Sequence, residues 1–222
     1  GLREDIFCNC YGLAEHTLLA CVCRDRGRKA VKDPNGVERV SCGVPPDGVD
    51  LRVVNPDTCV EVPIGSVGEV WLSSGSAAQG YFARPAKTEE TFRARLQGPK
   101  VSAADKEKFY LRTGDLGFWK EGEMYFSGRV KDLIIIKGRN YYPQDLELTV
   151  EQAPHVRPGC TACFAVDTED GESCGIVCEV LVKDKTIKKK DYAALYVKIA
   201  SEIERSIVRE HGVPVHVVAL IK

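Results

Sequence analysis

The stretch from Tyr110 to Asn140, "YLRTGDLGFWKEGEMYFSGRVKDLIIIKGRN", constrains the fold of this 222-residue chain most strongly. Apolar and aromatic strand formers stand on either side of "EGE", a pattern that predicts an antiparallel hairpin with a tight turn. Asp115 follows the Gly turn of "RTGD", and Arg129 returns on the far strand of the same hairpin. The sequence therefore predicts two opposite charges close together at one end of a hairpin.

These two charges allow a functional and a structural interpretation. A carboxylate after a Gly turn can accept hydrogen bonds from two neighbouring hydroxyls, and a ribose offers such a pair. Arg129 would reach the same sugar or an adjoining phosphate. The alternative is a salt bridge between Asp115 and Arg129 that only closes the hairpin. The spacing alone leaves both interpretations open.

A second segment with chemical potential is "YGLAE", at residues 11–15. Gly12 allows close approach of the backbone to a ligand, Tyr11 can stack on a base, and Glu15 is a hard oxygen donor suited to Mg²⁺. The structural alternatives are simple packing of Tyr11 and a favourable interaction of Glu15 with the dipole of a short helix that begins near it.

The charge balance excludes some function classes. With 31 basic and 32 acidic residues the formal charge is −1, which gives no case for a general nucleic-acid binder or a membrane-surface protein.

No apolar run approaches the roughly 20 residues that span a bilayer, and residues 1–20 lack the features of a signal peptide. We therefore expect a soluble, cytoplasmic chain. Because "FCNCYGLAE" reads as a core strand with nothing before it, we infer a fragment.

The ten cysteines raise the question of a metal site. Four of them have a CxxC and CxxxC spacing that zinc could use: Cys160, Cys163, Cys174 and Cys178. Their apolar segments flank the polar "DTEDGES", which favours a hairpin with thiols packed inside over a zinc site. The same pattern of apolar neighbours predicts buried thiols at Cys8, Cys10, Cys21 and Cys23.

The rest of the chain separates into two regions. The alternation in "VDLRVV", "CVEVP" and "VGEVWLSS" predicts a small antiparallel unit, whereas the charged residues 24–42 indicate a loop or a short mobile insertion. After an apolar strand "LIII", Pro143 opens a helix, and a later long helix is capped by Asp191 and stopped at Gly212. "VPVHVVALI" closes the chain as a strand. The boundary is expected near Arg129 to Asp132.

Taken together, in this order and spacing, "NCYGLAE", "YLRTGD" and "GRVKDLIIIKGRNYYPQDLE" resemble the adenylate-forming superfamily of acyl-CoA synthetases, luciferases and peptide-synthetase adenylation domains. The sequences "YGLAEHTLL" and "VVNPDTCVEVPIGSVGEVWL" are similar to those of the fatty acyl-AMP ligase branch. The resemblance implies an α/β and α+β fold. Residues 1–129 would be the end of a large N-terminal domain, including a distorted antiparallel β-barrel, and residues 130–222 a small, incomplete C-terminal α+β domain.

The resemblance also implies roles for individual residues. At the adenine of the nucleotide the resemblance places Asn9, Tyr11, Gly12 and Phe126. At the ribose it places Asp115 and Arg129. Glu15 would bind the Mg²⁺ on the triphosphate of ATP. Lys131 would be the hinge between the two domains, and Gly138 would lie on the loop that approaches the phosphopantetheine thiol.

The implied activity is ATP-dependent conversion of a fatty acid to acyl-AMP, followed by transfer to the phosphopantetheine of an acyl carrier protein, as part of a polyketide or peptide synthase. There are two alternatives. One is an acyl-CoA synthetase, whose acceptor, coenzyme A, is less favoured here; the other is a non-catalytic ligase-like module. The family's phosphate loop is absent here, and Lys222 does not fill the place of its C-terminal lysine. We therefore expect this fragment alone to be inactive. The short stretch from Glu15 to Ser41, where fatty acyl-AMP ligases carry an insertion, leaves the acceptor open.

Overall fold

The computed structural model describes residues 3, 6–24, 29–169, 171–182 and 191–221. The chain divides into two compact units, Gly1–Val130 and Lys131–Lys222. The division falls inside the stretch where the sequence places a boundary. Lys222, considered above for the catalytic lysine, lies outside the described residues.

The first unit is dominated by short antiparallel strands. In chain order the strands are β1 Cys10–Gly12, β2 Leu19–Val22, β3 Ala30–Lys32, β4 Glu38–Val40, β5 Asp50–Val54, β6 Gly68–Ser73, β7 Leu111–Lys120 and β8 Glu123–Arg129. The last four form one sheet in the order β5-β6-β7-β8, while β1 pairs with β2 and β3 pairs with β4. Two helices, α1 Pro85–Phe92 and α2 Ala103–Glu107, lie in the connection between β6 and β7.

The hairpin predicted around "EGE" is confirmed as β7 and β8. Its two turn residues, Glu121 and Gly122, both have positive φ values, 53° and 78°. Two such residues give the turn whose twist matches that of the flanking strands. The resulting register places Asp115 directly opposite Arg129. Local turn chemistry therefore brings together the two charges of the opening segment.

Two expectations for the first 42 residues are wrong. The segment at Glu15 forms only a 3-10 helical turn, Ala14–His16, and the chain then enters β2 instead of a helix. Thr17, with a φ of 67°, ends the turn, and pairing of β2 with β1 outweighs the local helical pattern. Residues 24–42 contain the β3–β4 hairpin, so this region is more than a loop.

The second unit packs two helices against a three-stranded sheet. The three strands of this sheet are β11 Val156–Thr168, β12 Gly171–Val180 and β13 Val215–Ile221, and a separate pair is formed by β9 Ile134–Ile136 and β10 Arg139–Tyr141. The helices are α3 Pro143–Val150 and α4 Tyr192–His211. In the sheet, β12 is antiparallel to β11 and parallel to β13. Ile199, Ile203 and Ile207, spaced four residues apart on α4, are buried in its core.

The ends of the two helices agree with the sequence in most respects. Pro143 is the first residue of α3, where the missing N–H of proline has no cost. α4 ends at Gly212, which has the left-handed conformation expected of a C-terminal glycine. Asp191 precedes α4 but its side chain makes no capping hydrogen bond, so its predicted capping role is wrong.

The cysteine hairpin is confirmed as β11 and β12. Three of its thiols, Cys163, Cys174 and Cys178, are buried in the core of the second unit, and Cys160 is half-buried. No group of three or more His, Cys, Asp or Glu side chains in the described ranges could hold a metal ion. In β1, alternation turns Tyr11 inward and leaves Cys10 exposed. Cys8, which precedes the strand, is exposed too, so the prediction of burial fails for both, whereas Cys21 is buried and Cys23 is half-buried.

We predict that the buried thiols react slowly in the native protein. Burial raises the pKa of Cys21 to about 12, so its thiol is protonated and unreactive at neutral pH. An alkylating reagent should modify Cys21, Cys163, Cys174 and Cys178 about a hundredfold more slowly before unfolding than after it. Mass spectrometry of the labelled peptides would measure this difference. Stoichiometric zinc in elemental analysis would contradict the buried-thiol interpretation.

Candidate functional site

The Asp115 carboxylate is the centre of a small polar and aromatic cluster. The Tyr11 hydroxyl donates a hydrogen bond to Asp115 Oδ2 at 2.5 Å, and Arg129 Nε donates to Oδ1 at 3.2 Å. The side chain of Asp115 is 20% exposed and that of Arg129 is 62% exposed. The two motifs "YGLAE" and "RTGD", far apart in sequence, thus meet at one carboxylate.

The same cluster contains an aromatic pair. The rings of Tyr11 and Phe126 are stacked, with centroids 3.8 Å apart and an interplanar angle of 27°. Burial, and next the nearby charge of Asp115, raise the pKa of the Tyr11 hydroxyl above its usual range, so it stays a hydrogen-bond donor. Tyr11, Asp115, Phe126 and Arg129, named here the Asp115 cluster, were all predicted site residues.

Thr113 and Gly114 set the direction of the Asp115 carboxylate. The Thr113 hydroxyl donates to the carbonyl of Val70 at 2.7 Å and accepts the backbone N–H of Asp115 at 3.0 Å. Gly114 has a φ of 74°, a conformation that other residues adopt at an energetic cost. The order Thr-Gly-Asp therefore builds the turn that presents the carboxylate.

A buried glutamate that the sequence interpretation missed supports this turn. Glu69 is only 3% exposed, and its carboxylate accepts hydrogen bonds from the backbone N–H of Gly114 at 3.1 Å, Arg112 Nε at 2.9 Å and Trp71 Nε1 at 2.9 Å. A buried charge is stable only when it is paired in this way. Its signal in the sequence is a charged residue inside the otherwise apolar strand "GEVWLS".

Glu15 lies on the turn that follows β1 and has a partner of its own. The Tyr81 hydroxyl donates to Glu15 Oε1 at 2.7 Å, whereas Oε2 accepts no hydrogen bond from the described residues. A single carboxylate with a free oxygen suits Mg²⁺, which is commonly held by one or two carboxylates together with substrate phosphates and water. The alternative of a helix dipole is weak because the turn is only three residues long.

Gly12 is required for a reason within the chain. A Cβ atom at this position would lie 1.9 Å from the carbonyl oxygen of Leu18, a distance at which the two atoms would clash. The close approach that we expected from a ligand is thus already made by the returning backbone. Glycine allows the chain to fold back tightly between Tyr11 and β2.

The remaining predicted residues are Asn9 in the first unit and Lys131 and Gly138 in the second. Asn9 lines an open cavity of about 510 Å³ together with Phe7, Cys10, Val40, Ser41 and Cys42. No side-chain hydrogen bond within the described ranges joins Asn9 to the cluster. Lys131 begins the second unit within the 3-10 turn Val130–Asp132, and Gly138, with a φ of 75°, lies in the β9–β10 turn of that unit.

Comparison with known proteins identifies relatives of this chain. Residues 2–82 match the model of the AMP-binding enzymes. The medium-chain-fatty-acid–[acyl-carrier-protein] ligase JamA of Moorena producens is 37% identical over an alignment of 244 positions, gaps included. The alignment covers 100% of this chain and 39% of JamA. The chain is homologous to the adenylate-forming ligases.

A second relative has a different acceptor in its name. FadD21 of Mycobacterium tuberculosis, named as a fatty-acid–CoA ligase, is 35% identical over an alignment of 237 positions, gaps included. The alignment covers 99% of this chain and 39% of FadD21. The chain therefore spans about two fifths of the length of these curated relatives. Ligases with either acceptor in their names are therefore similar to this chain along almost its whole length.

Solved structures agree with the fold. A structure from a study of fatty acyl-adenylate ligases of E. coli and L. pneumophila matches with a TM-score of 0.77 and 25% identity, over 99% of this chain and 38% of the other. The predicted fold class, α/β and α+β structure, is confirmed by this match, and the structure is rich in strands. Of the helices that the structure describes, none combines the length and apolar character needed to cross a membrane.

Proposed function

We propose that the full-length protein activates a fatty acid with ATP. A carboxylate oxygen of the acid attacks the α-phosphorus, the bond from that phosphorus to the β-phosphate oxygen breaks, and acyl-AMP and pyrophosphate are the products. The observation that supports this most directly is the Asp115 cluster. It joins a carboxylate, a guanidinium group and two stacked rings, which are groups suited to the ribose, phosphate and base of a nucleotide.

Each member of the cluster has a proposed contact. Asp115 would accept hydrogen bonds from the ribose hydroxyls, since each of its oxygens has a lone pair beyond the one used by Tyr11 or Arg129. The exposed guanidinium of Arg129 would reach the sugar or the adjoining phosphate. The Tyr11 and Phe126 pair would lie beside the adenine, and Asn9 would bind the polar edge of the base.

Glu15 is the proposed magnesium ligand. Its free Oε2 and the lack of other clustered metal-binding side chains in the described ranges fit an ion that is shared with a triphosphate. Bound Mg²⁺ would neutralise charge on the phosphate oxygens as pyrophosphate leaves. Glu15 itself would orient the ion by accepting it at one oxygen while Tyr81 holds the other.

For the second step we propose an acyl carrier protein as the acceptor. Its phosphopantetheine thiolate attacks the acyl carbonyl carbon, the bond to the phosphate oxygen breaks, and AMP leaves. The higher identity to JamA, whose name specifies an acyl carrier protein, supports this choice. FadD21, named for coenzyme A, is similar at nearly the same level, so coenzyme A is the second candidate.

Separate measurement of the two half-reactions tests the proposal. The full-length protein should catalyse exchange of pyrophosphate into ATP only when a fatty acid is present. Acyl transfer should then be followed with phosphopantetheinylated carrier protein and, in parallel, with coenzyme A. Transfer to coenzyme A alone would reject the carrier protein but retain adenylation. Absence of exchange with fatty acids of every chain length would leave the non-catalytic module as the better interpretation.

A further inference from the structure

The turn that carries Glu15 is fastened to a second segment, residues 74–81, by several hydrogen bonds. They are His16 Nε2 with Ser74 Oγ at 2.7 Å, Thr17 Oγ1 to the Ser76 carbonyl at 2.9 Å, and the Ala78 N–H to the Glu15 carbonyl at 2.8 Å. His16 is 1% exposed, and burial lowers its pKa, which favours the neutral ring. These bonds hold the backbone of the turn, and one further bond reaches the Glu15 side chain.

That further bond comes from Tyr81, whose own position is fixed on three sides. The backbone N–H of Tyr81 donates to Thr88 Oγ1 at 2.9 Å, and its ring meets the ring of Phe92 edge-on at 5.2 Å. Gly80 packs so closely on Thr88 that a Cβ atom would lie 2.2 Å from its methyl group. Thr88, in the middle of α1, and Phe92, its last residue, therefore determine where the Tyr81 hydroxyl points, and it points at Glu15 Oε1.

We infer that Tyr81 is a positioning residue that holds the Glu15 carboxylate with one oxygen free for a metal ion. This inference rests on the proposed magnesium role of Glu15. A phenol is suited to the task because it fixes one oxygen without bringing a positive charge that would compete with the cation. A tyrosine hydroxyl is protonated at neutral pH, so Tyr81 is the donor of its hydrogen bond to Glu15 Oε1.

Tyr81→Phe tests this inference because it removes the hydroxyl and keeps the ring that packs on Phe92. ATP binding to the full-length protein would be measured by titration calorimetry at graded Mg²⁺ concentrations and in EDTA. We expect the Mg²⁺ concentration for half-maximal enhancement of ATP binding to rise about tenfold, because a hydrogen bond to a charged group is lost. ATP binding in EDTA should be unchanged, whereas a general loss of structure would weaken it too.

Tyr110→Phe is the matched control. The Tyr110 hydroxyl also donates to a carboxylate, Asp50 Oδ2 at 2.9 Å, and burial raises its pKa to about 12. Tyr110 belongs to a different core cluster of the same unit, so its variant should leave the Mg²⁺ dependence unchanged. A shift of equal size in both variants, or no shift in Tyr81→Phe, would overturn the inference.

A double-mutant comparison separates this inference from the proposed function. In a Glu15→Gln background, Tyr81→Phe should cause no additional change in the Mg²⁺ dependence, because the two residues act through one carboxylate. Additive effects would show that Tyr81 acts elsewhere. If Mg²⁺ does not affect ATP binding to the wild-type protein, the metal role of Glu15 fails first, and the positioning role of Tyr81 fails with it.

Discussion

Asp115→Ala should weaken the use of ATP by roughly tenfold to a hundredfold in the full-length protein. Hydrogen bonds to a charged group contribute about 1.5 to 3 kcal/mol, and removal of the carboxylate would eliminate those proposed for the ribose hydroxyls. It would also remove the acceptor of the Tyr11 hydroxyl and the ion partner of Arg129. Steady-state kinetics with ATP as the varied substrate would measure the effect as a fall in kcat/KM.

The structural alternative for Asp115 can be tested with a matched pair in the second unit. Glu179, 21% exposed, pairs with Arg157, 51% exposed, across two antiparallel strands, which resembles the exposure of Asp115 and Arg129. Ion pairs between exposed side chains contribute little to stability, because water and salt screen the attraction. Glu179→Ala should therefore lower stability slightly and leave ATP kinetics unchanged. The same small effect from Asp115→Ala would mean that its ion pair only closes the hairpin.

Much of the fold could be predicted because its strongest signals are local. The β7–β8 hairpin follows from alternating apolar residues around a two-residue turn, and α4 follows from isoleucines at helical spacing. The segment after Glu15 could not be predicted in this way. Its conformation depends on Thr17 in the left-handed region and on pairing of β2 with β1, a tertiary interaction that local propensity does not contain.

Some residues of the candidate site could likewise be predicted from local sequence, and others could not. Tyr11, Asp115 and Arg129 could be named from their motifs, because their chemistry is visible in residue type and spacing. The roles of Glu69 and Tyr81 could not be predicted, since each acts through a hydrogen bond to a residue far away in the sequence. Supporting residues of this kind become apparent only when the fold brings them to their partners.

Lys131→Pro should separate the two half-reactions of the full-length protein. Lys131 is the first residue of the second unit and lies within the 3-10 turn Val130–Asp132, with no strand pairing to restrain its backbone. We propose that it is the pivot at which a few dihedral angles change between the two steps. Proline would fix φ near −65° and restrict Val130 to extended conformations.

The locked protein should retain the half-reaction that matches its fixed orientation and lose about a hundredfold or more in the other, because small misplacements of reacting groups have effects of that size. Pyrophosphate exchange and acyl transfer from preformed acyl-AMP would be measured separately. Lys131→Ala is the control, since it removes the side chain but leaves the backbone free, and it should change the ratio of the two rates much less. Equal losses in both steps of a folded Lys131→Pro protein, or no loss in either, would reject the pivot and leave Lys131 as an ordinary linker residue.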